Sequence, residues 1–271
     1  MSRRSGSERG FEHLLEYVGS ELSFETDFYN DAYMDRRITA RMRRTDSDSY
    51  RAYRRLLERD PDEREALLDS LSINVTGFFR NPEAWERLRP VLRELTDEHR
   101  NVDVWSAPAA DGREPYSLAM LALDDPEINA RRINILGTDI NPDILEVARE
   151  GVYETSQTTD IAEELEPLSE LEPYIDRDGD TFAVRERVKE MVTFEQHDLI
   201  RGEPKRERDL VLCRNLLIYI DASYKEPIFD TIIGSIRESG YLMIGMTETV
   251  PAAKRSAFEP VDKQHRIYRK A

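Results

Sequence analysis

Two kinds of hydrophobic pattern divide the chain. Through residue 75 the apolar side chains recur at helical spacing. Phe11, Leu14, Leu15 and Val18 form one stripe, and Met34, Ile38 and Met42 form another within residues 29–44. Tyr50, Tyr53, Leu56 and Leu57 follow Ser47-Asp48-Ser49, residues suited to cap a helix start. Leu67, Leu68 and Leu71 follow Asp60-Pro61. Residues 1–10 read as a loose start. No strand signal interrupts this stretch, so the pattern predicts an all-helical domain over residues 1–75.

Residues 72–80 break the helical period, and Asn81-Pro82 then opens a helix bearing Trp85, Leu88, Val91 and Leu92. Beyond it, short apolar runs and helical stretches take turns. Strands are predicted at 102–105, 133–138, 192–195, 210–213 and 241–245, with 266–268 a further candidate. Helices are predicted at 114–123, 142–149 and 222–238. This alternation builds a doubly wound α/β sheet over residues 76–271. Residues 151–190 fall out of the rhythm. They are rich in Glu, Asp and Pro and hold a turn at Asp178-Gly179-Asp180, which suits either a small inserted hairpin or an acidic surface loop.

Candidate chemistry begins where the first strand gives way to a helix, at 104–117. The run is strand, small-residue turn and helix start, with Pro115 in the first helical turn where a missing N–H is harmless. Such turns admit a ligand to the backbone, and the free N–H groups of the helix start favour anionic groups. Gly112 is the turn's one glycine, and Pro108, Ala109 and Ala110 stand where a pyrophosphate-binding turn would carry more. A nucleoside ligand without pyrophosphate fits better, and S-adenosylmethionine is the obvious candidate.

Asp139 ends the second strand. It suits the two hydroxyls of a ribose and equally suits a helix N-cap. Arg214 and Asn215 are polar residues at the carboxyl end of the buried run 209–213, where ligands of open sheets sit. Cys213 within that run reads as a packed core thiol. The four histidines, at 13, 99, 197 and 265, have no metal-ligand spacing, so no metal site is expected.

Charge adds two points. The chain of 271 residues has a formal net charge of -16, and only six of its 39 basic residues are lysine. An acidic, arginine-rich composition suits a halophilic cytoplasm and argues against a nucleic-acid partner. The lone cysteine permits no internal disulfide, and no apolar run approaches a membrane span or a signal-peptide core. A cytoplasmic monomer without membrane insertion is expected. Between Tyr33 and Arg59, however, nine arginines face four acids, a local reversal that marks a contact surface for an anionic partner.

Four segments in order resemble the CheR family of chemoreceptor glutamate methyltransferases. They are Asn74-Val75-Thr76-Gly77-Phe78-Phe79-Arg80; Trp105-Ser106-Ala107 followed by Gly112-Arg113-Glu114-Pro115-Tyr116-Ser117; Thr138-Asp139-Ile140; and Cys213-Arg214-Asn215-Leu216-Leu217-Ile218-Tyr219. The resemblance implies a Rossmann-like class I S-adenosylmethionine methyltransferase domain, an N-terminal all-α domain and a small β insertion near 151–190. It implies that Asn74, Thr76, Arg80, Glu114, Asp139, Asp198, Leu199, Asn215 and Leu216 hold S-adenosylmethionine, with S-adenosylhomocysteine as product. Beyond the resemblance, Arg80 is expected also to favour the approaching carboxylate and Tyr219 to orient it.

Arg37, Arg41 and Arg43 lie on a helix that in the family faces the acidic cytoplasmic helices of methyl-accepting chemoreceptors. The implied reaction is methyl ester formation on receptor glutamates. Four departures stand out. The turn is poor in glycine, Arg113 replaces the first of two common glutamates, and Asp198 replaces an asparagine. Asn30 stands near the place of a common lysine.

Overall fold

The structure is a computed structural model that describes residues 2–22, 24–71, 76–157 and 159–271, with side chains from residue 8 onward. It separates into two compact units, Met1–Ile73 with Tyr219–Tyr224, and Asn74–Ile218 with Lys225–Ala271. Among the described residues, no helix is long and apolar enough to cross a membrane.

The first unit is built from helices α1 (Ser2–Glu21), α2 (Asp31–Arg44), α3 (Tyr50–Leu57) and α4 (Pro61–Leu71). The expected loose start is instead the beginning of α1. Its polar residues carry no apolar stripe, yet extending a helix already anchored by Leu14 and Val18 costs little once a nucleus exists. Asn30 caps α2 by accepting the Tyr33 N–H at 2.9 Å, and Met34, Ile38 and Met42 are all buried beneath it. Ser49 caps α3 through the Ala52 N–H. The segment 219–224 joins this unit by backbone pairing. The Asn30 N–H and Nδ2 donate to the Tyr219 carbonyl at 2.9 and 2.8 Å, and the Asp221 N–H donates to the Phe28 carbonyl at 2.9 Å.

The second unit carries α5 (Pro82–Glu98), β1 (Val102–Ser106), α6 (Arg113–Asp124), β2 (Ile133–Asp139), α7 (Pro142–Glu150) and β3 (Val152–Glu154). There follow α8 (Ile161–Glu164), β4 (Ile175–Asp178), β5 (Thr181–Val184), α9 (Glu186–Lys189), β6 (Val192–Gln196), β7 (Arg208–Cys213), α10 (Ala222–Ser235), β8 (Ile236–Ile244), β9 (Phe258–Asp262) and β10 (Ile267–Lys270). Seven strands form one sheet in the order β6-β2-β1-β7-β8-β10-β9. The first five are mutually parallel, and β10 and β9 close the sheet antiparallel.

β1 and β7 are central, which is why both read as nearly continuous apolar runs. α7 shows the local grammar in full. Asn141 caps it, Pro142 occupies its first turn, and Gly151 ends it in the left-handed conformation at φ 60°.

The insertion is a three-stranded antiparallel sheet, β3-β5-β4, turning at Gly179 with φ 60°. Of the two sequence readings of 151–190, the structured insertion is the one found, with β3 as an additional strand. The predicted helix 222–238 ends at Ser235, because Ile236 already pairs with Arg208 in the sheet.

Candidate functional site

β6, β2, β1 and β7 run parallel as neighbours, so their carboxyl ends and the loops leaving them line one edge of the sheet. Asp198 follows β6, Asp139 ends β2, the small-residue turn follows β1, and Arg214 and Asn215 follow β7. Topology therefore gathers residues from segments far apart in sequence.

Asp139 binds two turns together. Its Oδ2 accepts the Ala110 N–H and its Oδ1 the Asn141 N–H, both at 3.0 Å. Burial pushes its pKa up, against the pull of those backbone hydrogen bonds. It does not cap α7, since Asn141 does so. The turn it holds is tight: Ala110 is left-handed at φ 47°, Gly112 has φ 89°, and a Cβ on Gly112 would stand 2.9 Å from the Ala148 Cβ.

Glu114 lies buried in the first turn of α6. The Ser106 hydroxyl donates to its Oε1 at 2.9 Å, and the Arg214 Nη1 lies 3.2 Å from its Oε2. Burial raises its pKa, while the charges of Arg214 and Arg80 pull the other way. Both oxygens thus have protein partners, although each retains a second lone pair for a ligand. Arg214 also donates from Nη2 to the Arg80 carbonyl at 2.7 Å and covers the Trp85 ring at 5.2 Å. The Trp85 indole N–H donates to the same carbonyl at 3.1 Å. Arg80 and Glu114 are therefore brought together around Arg214.

Asn215 is held left-handed at φ 60° by a residue that sequence reasoning missed. Glu248, buried after β8, accepts the N–H groups of Gly245 at 2.6 Å and Asn215 at 3.0 Å on Oε2, and that of Leu217 at 2.7 Å on Oε1. A side chain on Gly245 would press on the Asn215 backbone, its Cβ 2.9 Å from that nitrogen. Leu216 lies within this braced loop, half-buried.

Asp198 uses Oδ1 to accept the Ile200 and Arg201 N–H groups at 2.8 and 3.1 Å, beside the buried Leu199. The His197 N–H before it donates to the Asp139 carbonyl at 2.9 Å, prolonging the β2–β6 pairing. Thr76 is half-buried at the start of the segment leading to Arg80. Asn74 lies outside the described residues. Cys213 is a buried free thiol whose pKa is pushed well up by burial and by the nearby Glu248 and Glu114 carboxylates.

The remaining candidates belong to the first unit. The Tyr219 ring packs on Tyr33 with centroids 4.9 Å apart, and Arg37 lies over the other ring of that pair, 5.4 Å from the Tyr33 centroid. Arg41 forks onto Glu63, with its Nε 3.0 Å from Oε1, and Tyr53 donates to the same oxygen at 2.6 Å. Its charge is thereby matched inside the bundle. Arg43 is exposed, as are Arg36 and Arg44.

Comparison with known proteins places the chain. Residues 74–267 match the family model for the SAM binding domain of CheR methyltransferase, and residues 9–72 match its all-alpha domain. A chemotaxis protein methyltransferase of Listeria monocytogenes is 30% identical over 245 residues, covering 90% of this chain and 91% of that protein. Chemotaxis protein methyltransferase 2 of Pseudomonas aeruginosa is 28% identical over 214 residues, covering 78% and 76%. A solved glycopeptide N-methyltransferase, MtfA in complex with sinefungin, is 11% identical with a TM-score of 0.38, covering 64% of this chain and 57% of that one. The chain belongs to the CheR methyltransferase family, its all-alpha domain preceding its S-adenosylmethionine-binding domain.

Proposed function

We propose that this protein methylates glutamate side chains on the cytoplasmic helices of chemoreceptors, at the cytoplasmic side of the cell. The observation that carries the reading is the row of polar groups at the ends of four adjacent parallel strands, with Arg80 beside it. The donor set fits S-adenosylmethionine. Asp139 offers acceptor lone pairs for ribose hydroxyls, Arg80 a planar fork for the methionyl carboxylate, and Glu114 an acceptor for the amine. Asp198 and Leu199 are assigned to the adenine, with Thr76, Asn74, Asn215 and Leu216 completing the set. When bound, S-adenosylmethionine supplies a methyl group on a positively charged sulfur that departs as a neutral thioether.

The nucleophile assigned is a glutamate carboxylate. With an ordinary pKa of about 4.3 it is ionised at neutral pH, so the protein needs no general base. The raised pKa of the buried Cys213 thiol suits a core role and no part in the reaction. The protein's contribution is then orientation and exclusion of water, with Arg80 attracting the carboxylate. Tyr219 is assigned to orient it.

The arginine face of α2 supports the choice of an acidic helical substrate. Arg41 is engaged by Glu63, which leaves Arg37 and Arg43 as the residues to test. The double reversal R37E/R43E should lower receptor methylation at least about tenfold, given like-charge repulsion across the contact. Cofactor affinity should stay unchanged. Unaltered receptor methylation would reject the receptor-facing role of this helix.

A further inference from the structure

The segment 76–80 delivers Arg80 in a conformation that needs external support. Phe79 has φ 44° and Asn81 has φ 60°, both in the left-handed region that side chains disfavour. Four hydrogen bonds oppose that strain. The Phe79 N–H donates to the Ser117 hydroxyl at 3.0 Å, and the Arg80 carbonyl accepts from Trp85 at 3.1 Å and Arg214 at 2.7 Å. The fourth bond comes from the β insertion, where the Glu164 Oε2 accepts the Phe78 N–H at 2.8 Å. The neighbouring backbone lies so close that a Cβ on Gly77 would stand 2.7 Å from the Glu164 Oε1.

Glu164 is itself held in place. The Arg113 Nη1 lies 3.3 Å from its Oε2, while the Arg113 Nε and Nη2 contact the Asp111 Oδ2 at 3.0 and 2.9 Å. The same guanidinium lies 5.8 Å from the centroid of Tyr153 on β3, whose hydroxyl donates to the Asp111 carbonyl at 2.7 Å. Arg113 thus links the turn after β1, the segment before Arg80 and the insertion. These ion pairs are mostly sequestered, with Arg113 and Asp111 each 11% exposed, so salt screens them weakly. The residue that departs from the family pattern is the hub of the cluster.

We propose that Glu164 is a positioning residue for the cofactor-holding segment, so that the insertion, through Glu164 and Arg113, sets affinity for S-adenosylmethionine. Glu164 acts through the Phe78 backbone and does not touch the cofactor. The proposal rests on the assignment of segment 76–80 to the cofactor site, so R80A is measured alongside.

The test is calorimetric titration of the full chain with S-adenosylmethionine, paired with steady-state methyl transfer. E164A should weaken binding about tenfold, since it removes a charge-assisted hydrogen bond. E164Q keeps an acceptor for the Phe78 N–H and should recover most of the loss, remaining about two- to fourfold weaker than wild type. In both variants KM for the cofactor should rise while kcat at saturating cofactor stays within about twofold. Wild-type affinity in E164A overturns the proposal, as does equal impairment of E164A and E164Q with kcat falling in step. Should E164A not fold, E164Q decides alone, and wild-type affinity there overturns it. A weakened E164A beside an unaffected R80A keeps the clamp and rejects Arg80 as a cofactor contact; the reverse pattern rejects the clamp alone.

Discussion

Glu114 and Arg214, a hundred residues apart in sequence, meet 3.2 Å apart in the interior of the sheet domain. The Arg214 side chain is only 1% exposed, so this is a buried pair in which each charge depends on the other. Its second role, donating to the Arg80 carbonyl, ties the pair to the segment proposed to hold the cofactor. R214M should destabilise the fold by about 3–5 kcal/mol, because it leaves Glu114 buried without its countercharge. Urea unfolding checks this, and R214M/E114Q should recover part of the loss. A single variant as stable as wild type would mean that Glu114 is neutral without help from Arg214.

Glu248 braces the loop that carries Asn215 by accepting the backbone N–H groups of Gly245, Asn215 and Leu217. E248A orphans all three, at about 1–3 kcal/mol for each buried donor left unsatisfied. A loss of at least about 3 kcal/mol is expected in denaturant titration, together with weakened cofactor binding as Asn215 leaves its left-handed pose. Full cofactor affinity in E248A would detach Asn215 from the site.

Asp139 has a structural duty at Ala110 and Asn141 and a proposed ligand duty at the ribose. D139A should lower affinity for S-adenosylmethionine by about tenfold or more, since it removes a charged acceptor and releases the turn. Binding by calorimetry is the check, and unchanged affinity rejects the ribose assignment.

Asp125 gives a pH dependence with a definite sign. Burial raises its pKa, but Arg93 at 2.9 Å, the Glu127 N–H at 3.0 Å and the charge of Arg89 outweigh that, and the net shift is downward. The folded form stays ionised where the unfolded chain, with a pKa of about 3.9, takes up a proton. Its contribution is present above about pH 4 and is lost as pH falls through the folded pKa. D125N should therefore be less stable than wild type at pH 7, and the gap should narrow as the medium is acidified. Glu248 runs the other way. Its pKa is raised by burial, so ionising it lowers stability as pH rises from the unfolded value through the folded one, while its hydrogen bonds to the loop remain.

Patterns that report burial carried most of the fold. The apolar runs of β1, β2 and β7 announce strands covered on both faces, and Asn141-Pro142 with Gly151 frames α7 from both ends. β9 gave no such signal because Pro260 sits inside it. An edge strand tolerates the missing N–H, and β9 is the last strand of the sheet. The start of β8 was hidden because Ile232 and Ile236 repeat at helical spacing, and only pairing with Arg208 decides for strand.

Of the candidate site, the residues that lie within compact motifs are the ones a sequence can propose: Arg80, Asp139 and Asn215. Arg214 stood out as a polar residue at a strand end, but its buried partner could not be read from its neighbours. Glu248 and Glu164 act on backbone N–H groups of distant segments, a relationship that leaves no local pattern. Asn74 belongs to the same motif as Arg80 but lies outside the described residues.

The most direct test of the proposed function is transfer of labelled methyl groups from S-adenosylmethionine to a chemoreceptor cytoplasmic fragment, with the labelled positions mapped. The expected result is label on glutamate side chains as esters that mild base releases as methanol, with R80A and D139A nearly inactive at low cofactor. Label that resists base, or no label on the fragment at saturating cofactor, would contradict it.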